Sequence, residues 1–282
     1  MSSIRLRVAF LGAGNMALAL CRGLIERGVV DASDVTAASP TGAPRLAALG
    51  VTAFNNNTSA AAGADIVIIA VKPHLIETAL APLLIAGGGA ASTSPLYISI
   101  ASGKSISQIS EMLRGTTGGN VAQHRVVRAM PNTPCSVGVG ASAVCGAAPA
   151  SDADIDTVVA LFTAVGLVER VTEPQLDAVT GLSGSGPAFV FMFVEALADG
   201  GVAAGLPRAS AARLAAQLVR GAAVLLQESG RHPGELKDAV ASPGGTTIAG
   251  IHALERGGMR GIVMDAVVAA SERCATLRNP KQ

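Results

Sequence analysis

Two glycine-rich turns hold the residues of this chain that are best suited to bind anions. The first is Gly12-Ala13-Gly14-Asn15-Met16-Ala17, directly after an apolar run, and the second is Ser242-Pro243-Gly244-Gly245-Thr246-Thr247, which interrupts a helical stretch. Each turn leads into a predicted helix, whose first N–H groups lack partners within the helix and carry the positive end of the peptide dipoles. We therefore expect the first turn to bind a pyrophosphate and the second to bind a carboxylate.

The spacing Gly12-x-Gly14-x-x-Ala17, between a predicted strand and a predicted helix, indicates a dinucleotide-binding turn. On spacing alone, an ordinary turn in a chain with 33 glycines is an open alternative. At the end of the second predicted strand, NAD-binding chains usually carry a carboxylate, but here the sequence is Ala38-Ser39-Pro40-Thr41, with Arg45 shortly after. Hydroxyls and a nearby cation favour a 2′-phosphate, so we expect NADPH as the cofactor, with NADH possible. The alternative, that Arg45 is only a solvated helix charge, stays open.

The segment Ala70-Val71-Lys72-Pro73-His74 follows an apolar run that we predict to be a strand. Ligands of open α/β sheets bind at the carboxyl ends of the strands, so this segment is expected to face a ligand. Lys72 is a candidate general acid or else carries an ammonium directed to solvent. Asn57, before that strand, is a candidate adenosine ligand or simply the end of a loop.

The remaining ionisable and nucleophilic residues show no spacing typical of a metal site or a catalytic pair. The four histidines are far apart in the sequence, and Glu195 and Asp199 have no further carboxylate or histidine nearby, so we predict no metal. The four cysteines form no C-x-x-C pair, which favours reduced thiols and a cytoplasmic protein. Ser183 and Ser185 lie in a Gly/Ser turn and not in a nucleophile elbow after a strand.

Apolar runs of strand length alternate with helical stretches up to about Val171, after which the strand signals stop. Nearly continuous apolar strands separated by helices indicate a parallel sheet covered on both faces. The predicted fold class is α/β, with a Rossmann-type doubly wound sheet in residues 1–171 followed by an all-helical C-terminal dimerisation domain in residues 172–282. The predicted strands are Arg7–Leu11, Val35–Ala38, Asp65–Val71, Tyr97–Ala101, Val126–Met130 and Ser142–Cys145.

One predicted helix of the second domain has an unusually wide apolar face. Pro207 suits the first helical position and Gly230 suits the residue after the end, and Leu214, Leu218 and Leu225 recur between them at helical spacing. A face of that width usually means burial on more than one side. We therefore predict that this domain forms the interface of a homodimer.

The overall composition argues against two classes of partner. The chain has 21 Lys and Arg against 20 Asp and Glu, a formal charge of +1, and no basic stripe with interleaved aromatic residues, so we expect no nucleic acid. The apolar stretch Ala188–Val194 is followed by Glu195 and Asp199 long before it could cross a bilayer, so we expect no membrane span.

Several longer motifs resemble those of pyrroline-5-carboxylate reductase. The resemblance runs from Gly12 to about Ala270 and is highly specific when the motifs are taken together. The motifs are Ala70-Val71-Lys72-Pro73-His74, Met130-Pro131-Asn132-Thr133-Pro134, Thr180-Gly181-Leu182-Ser183-Gly184-Ser185-Gly186-Pro187-Ala188, Ala196-Leu197-Ala198-Asp199-Gly200-Gly201-Val202, Gly205-Leu206-Pro207-Arg208, Leu236-Lys237-Asp238 and Ser242-Pro243-Gly244-Gly245-Thr246-Thr247-Ile248.

The resemblance implies an enzyme that reduces the cyclic imine of 1-pyrroline-5-carboxylate to L-proline with NAD(P)H, the last step of proline biosynthesis. It also implies a homodimer, and in some members a decamer built as a pentamer of dimers. Ala239 departs from the family, because some members have an asparagine there that contacts the cofactor. The residues implied around the nucleotide are Gly12, Ala13, Gly14, Asn15, Met16, Ser39, Thr41, Asn57, Ala70, Val71, Lys72, Pro73 and Ser102. Those implied around the substrate are Glu173, Ser242, Gly245, Thr246 and Thr247.

The implied chemistry needs few ionisable side chains. A protonated imine is already electrophilic, so hydride transfer depends on positioning and on a water-poor pocket more than on a strong acid. We expect Ser242 and the backbone N–H groups near Thr246 to bind the carboxylate, and Thr247, the catalytic candidate, to bond the ring nitrogen.

Two other functions remain as alternatives. A β-hydroxyacid dehydrogenase shares the nucleotide domain and helical tail but normally carries a G-x-x-x-N-x-x-K helix, whereas Gly186–Phe193 contains neither Asn nor Lys. A nucleotide sensor or scaffold that has lost catalysis is disfavoured by the intact Ser242, Gly245 and Thr247.

Overall fold

The computed structural model describes residues 6–85, 94–114 and 124–278. Within these ranges the chain forms one eight-stranded sheet in the order β3-β2-β1-β4-β5-β6-β7-β8. This order confirms the Rossmann-type doubly wound class, because it grows outwards in both directions from β1. The strands are β1 (Val8–Leu11), β2 (Val35–Ala38), β3 (Thr52–Phe54), β4 (Ile66–Ile69), β5 (Leu96–Ser99), β6 (Val126–Met130), β7 (Gly140–Gly146) and β8 (Gly166–Arg170).

The central strands are buried because both faces of the sheet are covered. In β1, Val8 and Phe10 belong to one buried apolar cluster, and Ala9 and Leu11 belong to another. Successive side chains of a strand point to opposite faces, so the two clusters are the two layers of the core. This arrangement explains why the central strands are apolar without alternation.

Two strands were not predicted, and one runs in an unexpected direction. β3 and β8 are short edge strands with partly exposed residues, so neither has a continuous apolar run. β7 pairs antiparallel with β6, whereas the other neighbouring strands are parallel. Only a short segment with a 3-10 turn at Thr133–Val137 joins β6 to β7. A parallel crossover needs a dozen or more residues, so the chain turns back.

Helices flank the strands and account for most of the other described residues. The capping box of Ser151 and Asp154 starts α6 and satisfies free N–H groups of its first turn. A π-helical segment, Thr180–Gly184, joins α7 to α8. The helices are α1 (Asn15–Glu26), α2 (Pro44–Ala47), α3 (Asn57–Ala61), α4 (Ile76–Ile85), α5 (Ile106–Arg114), α6 (Asp152–Thr163), α7 (Gln175–Val179), α8 (Gly186–Ala203), α9 (Arg208–Ser229), α10 (Pro233–Ala239), α11 (Thr246–Arg256) and α12 (Met259–Arg278).

The chain divides into two compact units. The first comprises residues 1–185 and 269–282, and the second comprises residues 186–268. The first unit therefore contains the sheet, α7 and the last part of α12. The proposed domain boundary between residues 171 and 172 stays a prediction.

The second unit is built around the pair α8 and α9. Ala198, Ala211 and Ala215 form its small buried cluster, and a Cβ atom on Gly201 would lie 3.3 Å from that of Ala211. Small side chains thus allow the two helices to approach closely. Gly230 ends α9 in the left-handed conformation (φ 63°), as predicted.

Large apolar side chains of α9 are exposed in the single chain. Leu214, Leu218 and Leu225 are 60%, 58% and 56% exposed. The stretches Gln175–Ala203 and Arg208–Ser229 are long and apolar enough to cross a membrane by length and composition, with only 6% and 11% of their apolar windows buried. The expectation from Ala188–Val194 underestimated this apolar length, because the sequence argument stopped at two charged residues. The apolar faces of α8 and α9 are therefore exposed to solvent in the single chain, which is typical of a surface that binds another apolar surface.

Candidate cofactor and substrate sites

The turn after β1 is shaped by a glycine that no other residue can replace without strain. Gly12 has φ +108°, a conformation that L side chains rarely adopt. A Cβ atom there would lie 2.7 Å from the carbonyl oxygen of Ala70 and 2.9 Å from Cγ1 of Val71. The Gly12 N–H donates to Ala38 across 2.9 Å. The turn therefore brings together the ends of β1, β2 and β4.

The amino end of α1 has the features of an anion-binding helix terminus. Its N-cap is Gly14, which provides no side-chain cap, and its first turn contains no acidic residue. A Cβ atom on Gly14 would meet nothing within 4 Å, so there is open space over the turn. Free N–H groups beside open space can donate hydrogen bonds to the oxygens of a pyrophosphate. Asn15 begins this helix, and its Oδ1 accepts a hydrogen bond from Arg45 Nη1 (2.8 Å).

The turn after β2 carries the two predicted hydroxyls side by side. Ser39 Oγ and Thr41 Oγ1 are 3.1 Å apart, and the Ser39 carbonyl accepts a hydrogen bond from the Gly42 N–H. Arg45 reaches towards the α1 terminus by its bond to Asn15. Arg45 is thus bonded to the protein, and its contact with a 2′-phosphate stays a prediction. Hydroxyls and a guanidinium at this sheet edge suit a 2′-phosphate.

The segment after β4 lies at the same edge of the sheet. Ala70 donates its N–H to Leu11 (2.8 Å), and Lys72, which is exposed, precedes a 3-10 turn that begins at Pro73. Asn57 Nδ2 donates to the carbonyl of Ala79 (2.7 Å). The Asn57 amide thus ties α3 to α4, and its predicted contact with adenosine stays a prediction.

Glu173 has two partners inside the first compact unit. Its Oε1 accepts hydrogen bonds from the Ile106 N–H (2.7 Å) and from Arg128 Nη1 (3.0 Å). Ile106 begins α5, directly after the turn that carries Ser102. The predicted contact of Glu173 with substrate stays a prediction, but its carboxylate is engaged with the protein.

Arg128, the arginine that binds the predicted site residue Glu173, was not predicted from the sequence. It lies in the middle of β6, is 1% exposed, and pairs in register with Ser99 and Cys145. Its Nε has no hydrogen-bond partner among the described residues. The available signal was an arginine inside the otherwise apolar run Val126–Met130, because a buried charge requires a partner.

The second glycine-rich turn lies in the second compact unit and precedes α11. Gly245 is the N-cap and donates its N–H to the Ser242 carbonyl (3.1 Å), and a Cβ atom on Gly245 would lie 2.3 Å from Ser242 Oγ. Gly244 has φ +65°. No side chain of the N-cap residue satisfies the first turn of α11, so the N–H groups of Thr246 and Thr247 suit a carboxylate.

The thiols show no sign of reactivity. All four cysteines are free and buried. Burial raises the pKa of Cys21 to about 12 and that of Cys145 to about 11, and the same cause raises the pKa of Cys135 and Cys274. Protonated, buried thiols are poor nucleophiles. In the described ranges, no group of three or more His, Cys, Asp or Glu side chains is placed to hold a metal ion.

Comparison with known proteins places two family models on the chain. Residues 173–277 match the family described as pyrroline-5-carboxylate reductase dimerisation. Residues 7–103 match the family described as NADP oxidoreductase, coenzyme F420-dependent. The two matches thus divide between the sheet and the helical part of the sequence.

Individual relatives match over nearly the full length. Pyrroline-5-carboxylate reductase of Glycine max is 42% identical, covering 96% of this chain and 95% of that protein. The crystal structure of Plasmodium falciparum pyrroline carboxylate reductase with NADP bound is similar with a TM-score of 0.84 and 29% identity, covering 97% of this chain and 98% of that one. A pyrroline-5-carboxylate reductase structure from Coxiella burnetii has a TM-score of 0.83 and 34% identity, covering 96% and 98%.

Proposed function

The chain belongs to the pyrroline-5-carboxylate reductase family, and we propose that it reduces 1-pyrroline-5-carboxylate to L-proline with a hydride from NADPH. The observation that carries this function is the 42% identity to a reductase of that name over 96% of the chain. The family resemblance inferred from the motifs and the fold class inferred from the apolar runs are both confirmed.

The proposed nucleotide site lies at the carboxyl edge of the sheet in the first unit. Gly12 supplies the turn that only glycine tolerates, and the open space above Gly14 leaves room for a pyrophosphate at the α1 terminus. These features fit the dinucleotide expected from the fold. The residues that would hold it are Gly12, Ala13, Gly14, Asn15, Met16, Ser39, Thr41, Asn57, Ala70, Val71, Lys72, Pro73 and Ser102.

The proposed substrate site is the turn before α11. Ser242 and the free N–H groups of the first helical turn would bind the substrate carboxylate, with Gly245 and Thr246 at the terminus itself. The hydroxyl oxygen of Thr247 would accept a hydrogen bond from the protonated ring nitrogen. This bond orients the ring and stabilises its charged form.

The cofactor supplies the hydride and the protein supplies binding and orientation. This explains why the motifs contain no acid–base pair. NADPH, when bound, supplies a hydride from C4 of its nicotinamide to the imine carbon. The protonated nitrogen takes up the electron pair of the C=N bond, so the protein need not donate a further proton in that step. The chain contributes binding and orientation, which can account for a large part of a rate enhancement.

The activity is tested directly by mixing the purified protein with NADPH and 1-pyrroline-5-carboxylate and following NADPH absorbance together with proline formation. We expect proline to form in equal amount to the NADPH consumed. NADPH binding without turnover would instead support the non-catalytic alternative.

Introducing a carboxylate at Ser39 is expected to change the cofactor preference. The wild type should have a higher kcat/KM with NADPH than with NADH, because Ser39, Thr41 and Arg45 present hydroxyls and a cation to the 2′ position. In Ser39→Asp, repulsion of the 2′-phosphate should lower the NADPH-to-NADH ratio of kcat/KM about tenfold or more. Steady-state kinetics with both cofactors measures the ratio. An unchanged ratio would remove Ser39 from the 2′ site.

We also propose that the helical part forms a homodimer, in the cytoplasm and without a membrane or nucleic-acid partner, with a pentamer of such dimers as the alternative assembly. The family model over residues 173–277 supports oligomerisation. The exposed apolar faces of α8 and α9 provide surface for a second copy. A second copy would cover these faces without a bilayer.

Leu218→Glu is expected to shift the protein towards monomer. Leu218 is 58% exposed in the single chain, and burying a leucine in an interface contributes about 1.5 to 3 kcal/mol. Sedimentation velocity measures the change. Leu167→Glu is the matched control, because Leu167 is 59% exposed but lies on the edge strand β8 of the sheet. Equal dissociation in both variants would contradict an interface on α9.

A further inference from the structure

Two carboxylates of one short segment brace the turn between β5 and α5. Glu173 lies just before α7 and Asp177 lies within it. Glu173 binds the backbone at the start of α5, after the turn that carries Ser102, and Asp177 binds the end of α12, which packs against that turn. Neither contact follows from a local sequence pattern, because the partners are distant in the chain.

Glu173 fixes the helix side of the turn. Its Oε1 accepts from the backbone N–H of Ile106, at the first position of α5, and from the buried Arg128. Ser105 N-caps the same helix, since its Oγ accepts from the Gln108 N–H (3.1 Å) and its own N–H donates to Gln108 Oε1 (2.9 Å). A negative charge at a helix N-terminus is favourable. The carboxylate thus joins the start of α5 to β6.

Asp177 holds the end of α12, which lies beside the turn at Gly103. Its Oδ2 accepts from Arg278 Nη2 (2.5 Å), and Cys274 Sγ donates to its Oδ1 (3.4 Å). The anchored end of α12 packs against Gly103, where a Cβ atom would lie 3.3 Å from Cβ of Leu277. Gly103 is buried and has φ +69°, so the turn has little freedom to move.

The position of this turn in the sheet indicates which part of the nucleotide it serves. The sheet has two mononucleotide-binding halves, β1 to β3 and β4 to β6. Ser39 and Thr41, at the proposed 2′-phosphate contact, follow β2 and belong to the first half. Ser102 follows β5 and belongs to the second half. We therefore expect Ser102 to contact the nicotinamide mononucleotide part of NADPH.

We propose that Glu173 is a positioning residue: together with Arg128 it holds the β5–α5 turn, and with it Ser102, in place for the nicotinamide half of NADPH. This role rests on the proposed function. The positioning role of Glu173 acts through the turn, and its implied contact with the substrate is a separate prediction.

The test compares the affinities of two ligands for Glu173→Gln. The amide keeps the shape of the side chain and an acceptor for Ile106 but removes the charge that faces Arg128. We expect the dissociation constant of NADPH, measured by fluorescence or calorimetry, to rise about tenfold, as for the loss of one charge-assisted hydrogen bond. The dissociation constant of 2′-phospho-ADP-ribose, which lacks nicotinamide, should stay within about twofold of the wild type, because its half of the site is untouched.

Gly103→Ala provides a second perturbation that removes no charge. Its added methyl group meets Leu277 in a left-handed turn, so we expect the same selective loss of NADPH affinity. Asp156→Asn is the matched control, because Asp156 pairs with Arg170 at the surface of the same unit, and both affinities should be unchanged.

Two results would overturn the positioning role. One is an equal loss of affinity for both ligands in Glu173→Gln and Gly103→Ala, which would indicate general destabilisation. The other is no loss for either ligand. A wild type that binds NADPH but forms no proline would contradict the proposed function while leaving the comparison of affinities valid.

Discussion

Gly12→Ala is expected to destabilise the protein and to weaken NADPH binding at least about a hundredfold. The methyl group would lie 2.7 Å from the Ala70 carbonyl oxygen, in a backbone conformation with φ +108°. Backbone strain and overpacking of this kind cost about 2 to 5 kcal/mol together. The turn must move away from β4, which displaces the N–H groups that would bind pyrophosphate. Urea unfolding measures the first effect, and NADPH titration measures the second.

Gly14→Ala separates the two effects of Gly12→Ala. Its methyl group would meet nothing within 4 Å in the protein, and the backbone of Gly14 (φ −71°) suits any residue. We therefore expect a normal unfolding midpoint, with NADPH binding weakened because the methyl group occupies the ligand's space. Normal NADPH affinity in both variants would show that the cofactor does not approach this turn.

The central strands could be predicted because their burial on both faces leaves a continuous apolar run. β1, β2 and β4 to β6 match the predicted runs, with ends that differ by at most two residues. β3 and β8 lie at the edges of the sheet, where side chains are partly exposed and need not be apolar. Their sequences therefore contain no continuous apolar run. The direction of β7 depends on the length of its connection to β6, which a search for apolar runs does not consider.

The site could be predicted where backbone conformation dictates the residue type. Gly12 and Gly244 are recognisable because each has a positive φ, +108° and +65°, that L side chains rarely adopt. The contacts of Glu173 could not be predicted, because they join residues 45 and 67 positions away in the chain. Such pairs depend on which strands become neighbours, and only the folded sheet brings Arg128 and Ile106 to one carboxylate.

The extent of exposed apolar surface in the helical part could not be predicted from the spacing of the motifs. The leucines of α9 follow a recognisable helical period, which predicted a wide apolar face. Their exposed fractions in the single chain depend on how α8 and α9 pack, and the buried cluster between these helices consists of the small residues Ala198, Ala211 and Ala215. The large side chains of α9 lie outside this cluster and are exposed, which the helical period alone did not predict.

Thr247→Ala is expected to lower kcat/KM for 1-pyrroline-5-carboxylate about tenfold to a hundredfold, or about 1.5 to 3 kcal/mol, the contribution of one hydrogen bond to a charged group. Thr247 is at the second position of α11, half-buried beside the free N–H groups of that helix terminus. Steady-state kinetics at saturating NADPH measures the effect.

Two further variants at the same position separate the hydroxyl from the shape of the side chain. Thr247→Ser keeps the oxygen and should retain most of the activity, whereas Thr247→Val keeps the shape and should lose as much as alanine does. NADPH affinity should be unchanged in all three variants, because Thr247 lies in the substrate turn. If Thr247→Val is as active as the wild type, the hydroxyl has no role at the ring nitrogen, and the reaction depends on the carboxylate contacts of the turn alone.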